Sequence, residues 1–233
     1  MYRIFIVEDD HQLARLLEEH LIRFGHQISS VTQWDRVYEE CLAYDPHLVL
    51  MDVNLPRYDG YYWCRQIRRV STCPIIFLSA REGKMDQVMA LENGADDYMT
   101  KPFDYELVTA KINSQLRRAY GTYAISGAER TLTVAGLLLD SERLQLSLDE
   151  RRVELSLTEC RILEELMRRQ EQVVSRDRLL EKIWDDQVFV DDNTLNVYVT
   201  RVRKKLAALE ITDAIQTVRG IGYRLTPTWE SLT

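Results

Sequence analysis

At 233 residues, 45% hydrophobic and 29% charged, the chain has the make-up of a soluble globular protein and the length of one large or two ordinary domains, which excludes a disordered or fibrous chain. No apolar run reaches about 18 residues, so direct membrane insertion is not expected. The net charge of −7 is spread over both halves, with 14 Lys+Arg against 18 Asp+Glu in residues 1–118 and 16 against 19 in residues 119–233, so any nucleic-acid partner must be met by a local basic stripe.

The first half alternates short β-rich runs with amphipathic segments. RIFIV (3–7), HQISSV (26–31), HLVLM (47–51), PIIFL (74–78) and DYM (97–99) read as five strands. Between them, Leu13, Leu16, Leu17, Leu21 and Phe24 share one helical face at i, i+3, i+4 spacing. Three of the strands are apolar throughout, the mark of a parallel sheet covered on both faces. The expected fold is α/β, a five-stranded doubly wound parallel sheet.

Ligands of such sheets collect at the carboxyl ends of the strands. That rule brings Glu8, Asp9 and Asp10 (after strand one), Asp52 (strand three), Ser79 (strand four) and Lys101 (after strand five) to one edge. Singly, each has a bland reading: the acidic run as a helix cap, Ser79 as a turn residue, Lys101 as a solvated side chain. Together, crowded carboxylates require either a raised pKa or a bound cation. Oxygen ligands favour a hard ion such as Mg²⁺. A carboxylate beside a cation, a lysine and a hydroxyl is suited to accept a phosphoryl group.

Residues 119–131, which include AYGTYAISGAER, lack periodicity and read as a linker between domains at 1–118 and 132–229. Beyond it, GLLLD, RLQLSL and RVELS read as strands, three helices are expected near 158–169, 175–184 and 193–207, and IQTVRGIGYRL closes as a hairpin. This is the pattern of an α+β winged helix-turn-helix. In DDNTLNVYVTRVRKKL (191–206), Leu195, Val199, Val202 and Leu206 fall on a core stripe. The opposite side is expected to present Asn193, Thr194, Val197, Thr200, Arg201 and Lys204, flanked by Tyr198, Arg203 and Lys205. Val197 there has no core to serve and is suited to a thymine methyl; a merely solvated basic face is the alternative. The four scattered cysteines, with no secretory leader before them, are expected to be reduced thiols of a cytoplasmic protein rather than a disulfide or zinc framework.

VEDD (7–10), LVLMDVNLP (48–56), IIFLSAR (75–81) and GADDYMTKPF (94–103) together resemble the motif set of a bacterial response-regulator receiver domain. The resemblance implies Asp52 as the phosphoacceptor, with Glu8, Asp9 and the Asn54 carbonyl around Mg²⁺. Ser79, Tyr98 and Lys101 become the switch and phosphoryl-binding residues, with a cis bond before Pro102. SLTECRILEEL, VVSRDRLLEKIW, the basic helix and VRGIGYRL resemble the effector domain of OmpR/PhoB-type regulators. That likeness implies a DNA operator, a sensor histidine kinase, and a wing arginine, Arg219, in the minor groove. Thr200 departs from the arginine common there. The loop 184–192 corresponds to a stretch that meets RNA polymerase in several members. The family also implies a homodimer on phosphorylation, with Asp97 and Lys111 keeping one charge pair while Gln87 and Leu107 replace another. YDGYYWCRQIR (58–68) and KMDQVMALENGADDYM (84–99) resemble the bacitracin-responsive and GraR-like regulators of peptide-antibiotic resistance. Two rivals remain: a phosphorylation-independent regulator whose receiver only dimerises, and a Mg²⁺-dependent phosphatase. The intact acidic set disfavours the first. Asn54, standing where the second acid of such an enzyme would be, disfavours the second, so no enzyme is expected.

Overall fold

The computed structural model of the chain describes residues 1–81, 83–120, 131–183 and 192–229, giving only the backbone of 192 and 193. The chain divides into two compact units, Met1–Gly121 and Thr122–Thr233.

In the first unit β1 (Arg3–Val7), β2 (Gln27–Ser30), β3 (Leu48–Asp52), β4 (Ile75–Ser79) and β5 (Asp97–Thr100) form one parallel sheet in the order β2-β1-β3-β4-β5. They alternate with α1 (His11–Arg23), α2 (Val37–Tyr44), α3 (Gly60–Ile67), α4 (Lys84–Glu92) and α5 (Tyr105–Tyr120). Every residue of β3 and β4 is buried, because side chains of both parities find a helix. Ile4, Ile6, Leu48, Leu50, Ile76 and Leu78 pack with Leu17 and Leu21 of α1 and Val108, Ile112 and Leu116 of α5. On the other face Phe5 meets Tyr44 of α2, and Phe77 meets Tyr61 of α3.

Two local devices shape the edge where the site lies. Asp10 caps α1, its carboxylate accepting from the amides of Gln12 and Leu13, which leaves Glu8 and Asp9 for the edge itself. Gly60 opens α3 against β3: a Cβ there would stand 2.0 Å from the Asp52 carbonyl oxygen. Close approach, rather than a need for backbone freedom, is what glycine supplies at this position.

In the second unit β6 (Thr131–Val134), β7 (Leu137–Asp140), β8 (Gln145–Leu148) and β9 (Arg151–Glu154) make an antiparallel meander. It is followed by α6 (Leu157–Arg168), α7 (Arg176–Ile183) and α8 (Asp192–Ala207). α6 opens with a reciprocal capping box between Ser156 and Glu159. The terminal hairpin, β11 (Ile215–Val218) and β12 (Gly222–Leu225), is completed to three strands by β10 (Val174–Ser175). The expected boundaries shift slightly, since α5 runs to Tyr120 and β6 begins at Thr131; the intervening 121–130 lie outside the described residues. β6 and the two-residue β10 were not anticipated, the second because two residues carry no periodicity.

Candidate functional site

β1 and β3 are hydrogen-bonded neighbours, so the residues leaving their carboxyl ends meet. Glu8 and Asp52 are buried and Asp9 is exposed, and the three offer carboxylate oxygens that all lie within 4.8 Å of one another. Lys101 follows β5, its amide continuing the parallel ladder by donating to the Ser79 carbonyl at 2.7 Å, and the bond to Pro102 after it is cis. Its Nζ donates to both Glu8 oxygens, at 2.8 and 2.7 Å, and to Asp52 Oδ2 at 2.6 Å. The second Asp52 oxygen accepts from the Asn54 amide at 3.1 Å.

One ammonium thus serves two buried carboxylates, and it is Glu8 that holds a proton more readily. Burial, with the nearby Asp52 charge and against the Lys101 hydrogen bonds, pushes its pKa up to about 7. At Lys101 burial works to lower the pKa, but the hydrogen bonds and charges of Asp52 and Glu8 outweigh it and the ammonium is held above its usual range. The lysine stays charged while Glu8 is ready to exchange a proton for a harder cation. Three carboxylates, with no nitrogen or sulfur donor among them, fit an ion such as Mg²⁺.

Ser79 ends β4, fully buried, its Oγ accepting from the Arg81 amide at 3.1 Å. Tyr98 is half-buried, its hydroxyl donating to the Arg81 carbonyl at 2.7 Å. Arg81 also reaches Asn54 Oδ1 at 2.9 Å and Asp86 of α4 at 3.5 Å. Arg81 went unremarked in the sequence, where an arginine in a loop carries no signal. Asp97 and Lys111 pair within the chain, at 2.8 and 2.9 Å.

The second unit requires corrections. The core stripe Leu195, Val199, Val202 and Leu206 is buried as expected. Val197, expected on the polar face, is 8% exposed, and Tyr198 is wholly buried. Arg201 is also buried: its Nε donates to Glu159 Oε1 at 2.9 Å, its NH2 lies 3.3 Å from Ser156 Oγ, and its guanidinium covers the Tyr198 ring. α8 is packed along a wider arc than a two-sided wheel allows, because α6 lies against the flank that carries Arg201. Its open face therefore runs through Asn196, Thr200 and Lys204, rotated by about 60° from the expected one at about 100° per residue. Thr194, Arg203 and Lys205 are intermediate, and the Arg203 guanidinium holds the wing through Ile215 O (2.7 Å) and Thr217 Oγ1 (2.9 Å). Arg219 is exposed at the hairpin turn. The Asn193 side chain and most of the 184–192 loop lie outside the described residues.

Residues 4–113 match the family described as Response regulator receiver domain, and residues 150–225 match Transcriptional regulatory protein, C terminal. The chain is 53% identical over 225 residues to the transcriptional regulatory protein YxdJ of Bacillus subtilis (strain 168), covering 97% of this chain and 98% of that one. The chain belongs to the OmpR/PhoB-type response regulators. It is 42% identical over 221 residues to the response regulator GraR of Staphylococcus aureus (strain Mu50 / ATCC 700699), covering 95% of this chain and 98% of that one. Among solved structures, a cysteine-to-serine mutant of RitR matches with a TM-score of 0.81 at 25% identity, covering 97% of this chain and 99% of that one. This is a family of transcription regulators, not enzymes, and it implies a histidine kinase partner and DNA binding. The four cysteines are free and buried, and no helix among the described residues is long and apolar enough to cross a membrane.

Proposed function

We propose that this response regulator takes a phosphoryl group on Asp52 from a membrane histidine kinase, dimerises, and binds a repeated operator to control peptide-antibiotic resistance or export genes in the cytoplasm. The observation that carries the reading is the convergence of Glu8, Asp9, Asp52 and Lys101 at one sheet edge, with Lys101 Nζ 2.6 Å from the Asp52 carboxylate. An Asp52 oxygen forms the new O–P bond as the P–N bond to the donor histidine breaks, the nitrogen keeping the electron pair. Glu8, Asp9, Asp52 and the Asn54 carbonyl hold Mg²⁺, which when bound supplies positive charge against the phosphoryl oxygens.

Lys101 and Ser79 meet the other phosphoryl oxygens. Ser79 does so by giving up the Arg81 amide, and Tyr98 follows by leaving the Arg81 carbonyl. The face of α4, β5 and α5 then pairs with a second copy, Asp97 and Lys111 lying on it. DNA is met by α8 through Asn193, Thr194, Thr200, Lys204 and Lys205, and by Arg219 in the wing; Arg203 sets the wing against the helix. The loop 184–192 is offered to RNA polymerase. The GraR-like identity supports the resistance role.

The test is incubation with acetyl phosphate and Mg²⁺ followed by intact-mass measurement. The wild-type chain gains one phosphoryl group and Asp52→Asn gains none. An unmodified wild-type chain leaves the receiver a dimerisation module only.

A further inference from the structure

The open face of α8 has one polar side chain that the surrounding fold has already oriented. Asn196 is exposed, yet its Oδ1 accepts from the Tyr223 hydroxyl at 2.7 Å and from Arg176 NH1 at 3.1 Å. An arginine can only donate, so the atom facing it is the amide oxygen, and the assignment of oxygen and nitrogen follows from chemistry. Both partners are themselves held. Tyr223 is buried in β12, and the Arg176 guanidinium lies over its ring at 5.8 Å, also bonded to its hydroxyl at 3.2 Å. With its acceptor taken, Asn196 has only its two amide N–H groups to offer, and these have no partner among the described residues.

One turn further on, Thr200 is fixed in the opposite sense. Its hydroxyl donates to the Asn196 carbonyl at 2.8 Å, which leaves Oγ1 as an acceptor toward solvent. The face thus presents a donor, an acceptor and then a cation, Lys204.

An unrestrained asparagine reads adenine by donating to N7 and accepting from the N6 amino group. Asn196 has no acceptor left for that. A donor alone is satisfied at guanine, where O6 and N7 both accept, and at thymine O4; cytosine offers it only the N4 amino donor, and adenine sets its N6 amino donor against the single acceptor N7. Asn196 is also in the first half of the helix, the part of a recognition helix that approaches base edges. We infer that Asn196, held by Tyr223 and Arg176, is a donor-only reader that selects a keto base, guanine or thymine, at one position of each operator half-site.

The inference rests on the proposal that α8 enters the major groove, and its test separates the two. The full-length chain, treated with acetyl phosphate and Mg²⁺, selects from a pool of randomised duplexes, and the bound sequences are compared among three proteins. The wild type favours a keto base at one position per half-site by about fivefold or more, the lower end of what a direct base contact contributes. Asn196→Asp keeps acceptors for Tyr223 and Arg176 but turns acceptors outward, so the same position changes to cytosine or adenine while the others hold. Tyr223→Phe combined with Arg176→Met releases the amide to turn over, and adenine joins the keto bases there. A purely structural role for Tyr223 and Arg176 would weaken binding without changing that one preference. If Asn196→Asp selects the same consensus as wild type, the inference is overturned, and a uniform loss of affinity across all sequences marks a phosphate contact instead. If the wild type selects no consensus, the placement of α8 on DNA fails and the inference fails with it.

Discussion

Glu8 and Glu159 are both buried carboxylates facing a cation, yet burial wins at one and pairing at the other. At Glu8 a single ammonium is shared with Asp52, and the carboxyl stays protonated up to about pH 7. A ligand carboxylate must lose its proton before it binds metal. The apparent Mg²⁺ affinity is therefore expected to rise by up to about tenfold per unit as pH climbs to 7 and to level off above it, as measured by calorimetric titration. At Glu159 burial raises the pKa, but the charges of Arg201 and Lys205 and the hydrogen bonds from Ser156 and Arg201 bring it below the usual carboxylate range. A carboxylate whose folded pKa is depressed contributes stability above its unfolded pKa and loses it as pH falls toward the folded one. Arg201→Met strands this charge and should cost about 3–5 kcal/mol in urea unfolding at pH 7. The gap to wild type should narrow as pH falls, first because the stranded Glu159 of the variant takes a proton above the ordinary carboxylate pKa, then because wild type loses the pairing below it; a gap independent of pH would contradict the pairing. The sequence places Glu8, Asp52 and Lys101 together because each ends or follows a strand, and strand ends are legible. Nothing in the sequence indicated that Arg201 would turn inward, because its partner lies 42 residues away on another helix.

Among elements, those with a strong period were the ones that could be read in advance. The alternation of apolar strands and amphipathic helices gives five βα units, and the core stripe of α8 follows from 3.6 residues per turn. The same wheel misplaced Val197, Tyr198 and Arg201 and left Asn196 out, because it assumes one buried side while α8 is packed on two. The joints between elements depend on close approach, which period does not reveal. At Gly60 the sequence shows only a glycine after a loop, whereas the structure shows a carbonyl in the space of its missing side chain. Gly60→Ala is expected to force α3 away from β3 at a cost of about 1–3 kcal/mol. It should also slow phosphorylation of Asp52, read by intact mass over time, since the displaced group is the Asp52 backbone. Gly222 meets the same constraint in the wing, where a Cβ would stand 1.9 Å from the Val174 carbonyl oxygen of β10.

For the whole molecule, the proposed sequence of phosphorylation, pairing and DNA binding turns on what the α4–β5–α5 face presents. The expected charge pair of Asp97 and Lys111 is closed within one chain, so these two residues stiffen the face in each copy. Met85, Met89 and Leu107 are 73%, 44% and 41% exposed on α4 and α5, an apolar content the replacement of ionic residues leads one to expect. Leu107→Glu should leave the phosphoryl adduct intact and weaken the phosphorylated dimer by about tenfold or more in sedimentation. Undiminished association would place the contact elsewhere.

Arg81 joins the site to this face by three routes: its amide to Ser79, its carbonyl to Tyr98, and its guanidinium to Asn54 and Asp86. In the proposed switch these contacts break, and there they set a threshold. A chain with a looser grip at Arg81 would respond to less kinase signal but would also have some copies active in its absence. In that proposal the residue tunes background against sensitivity without taking part in the phosphoryl chemistry.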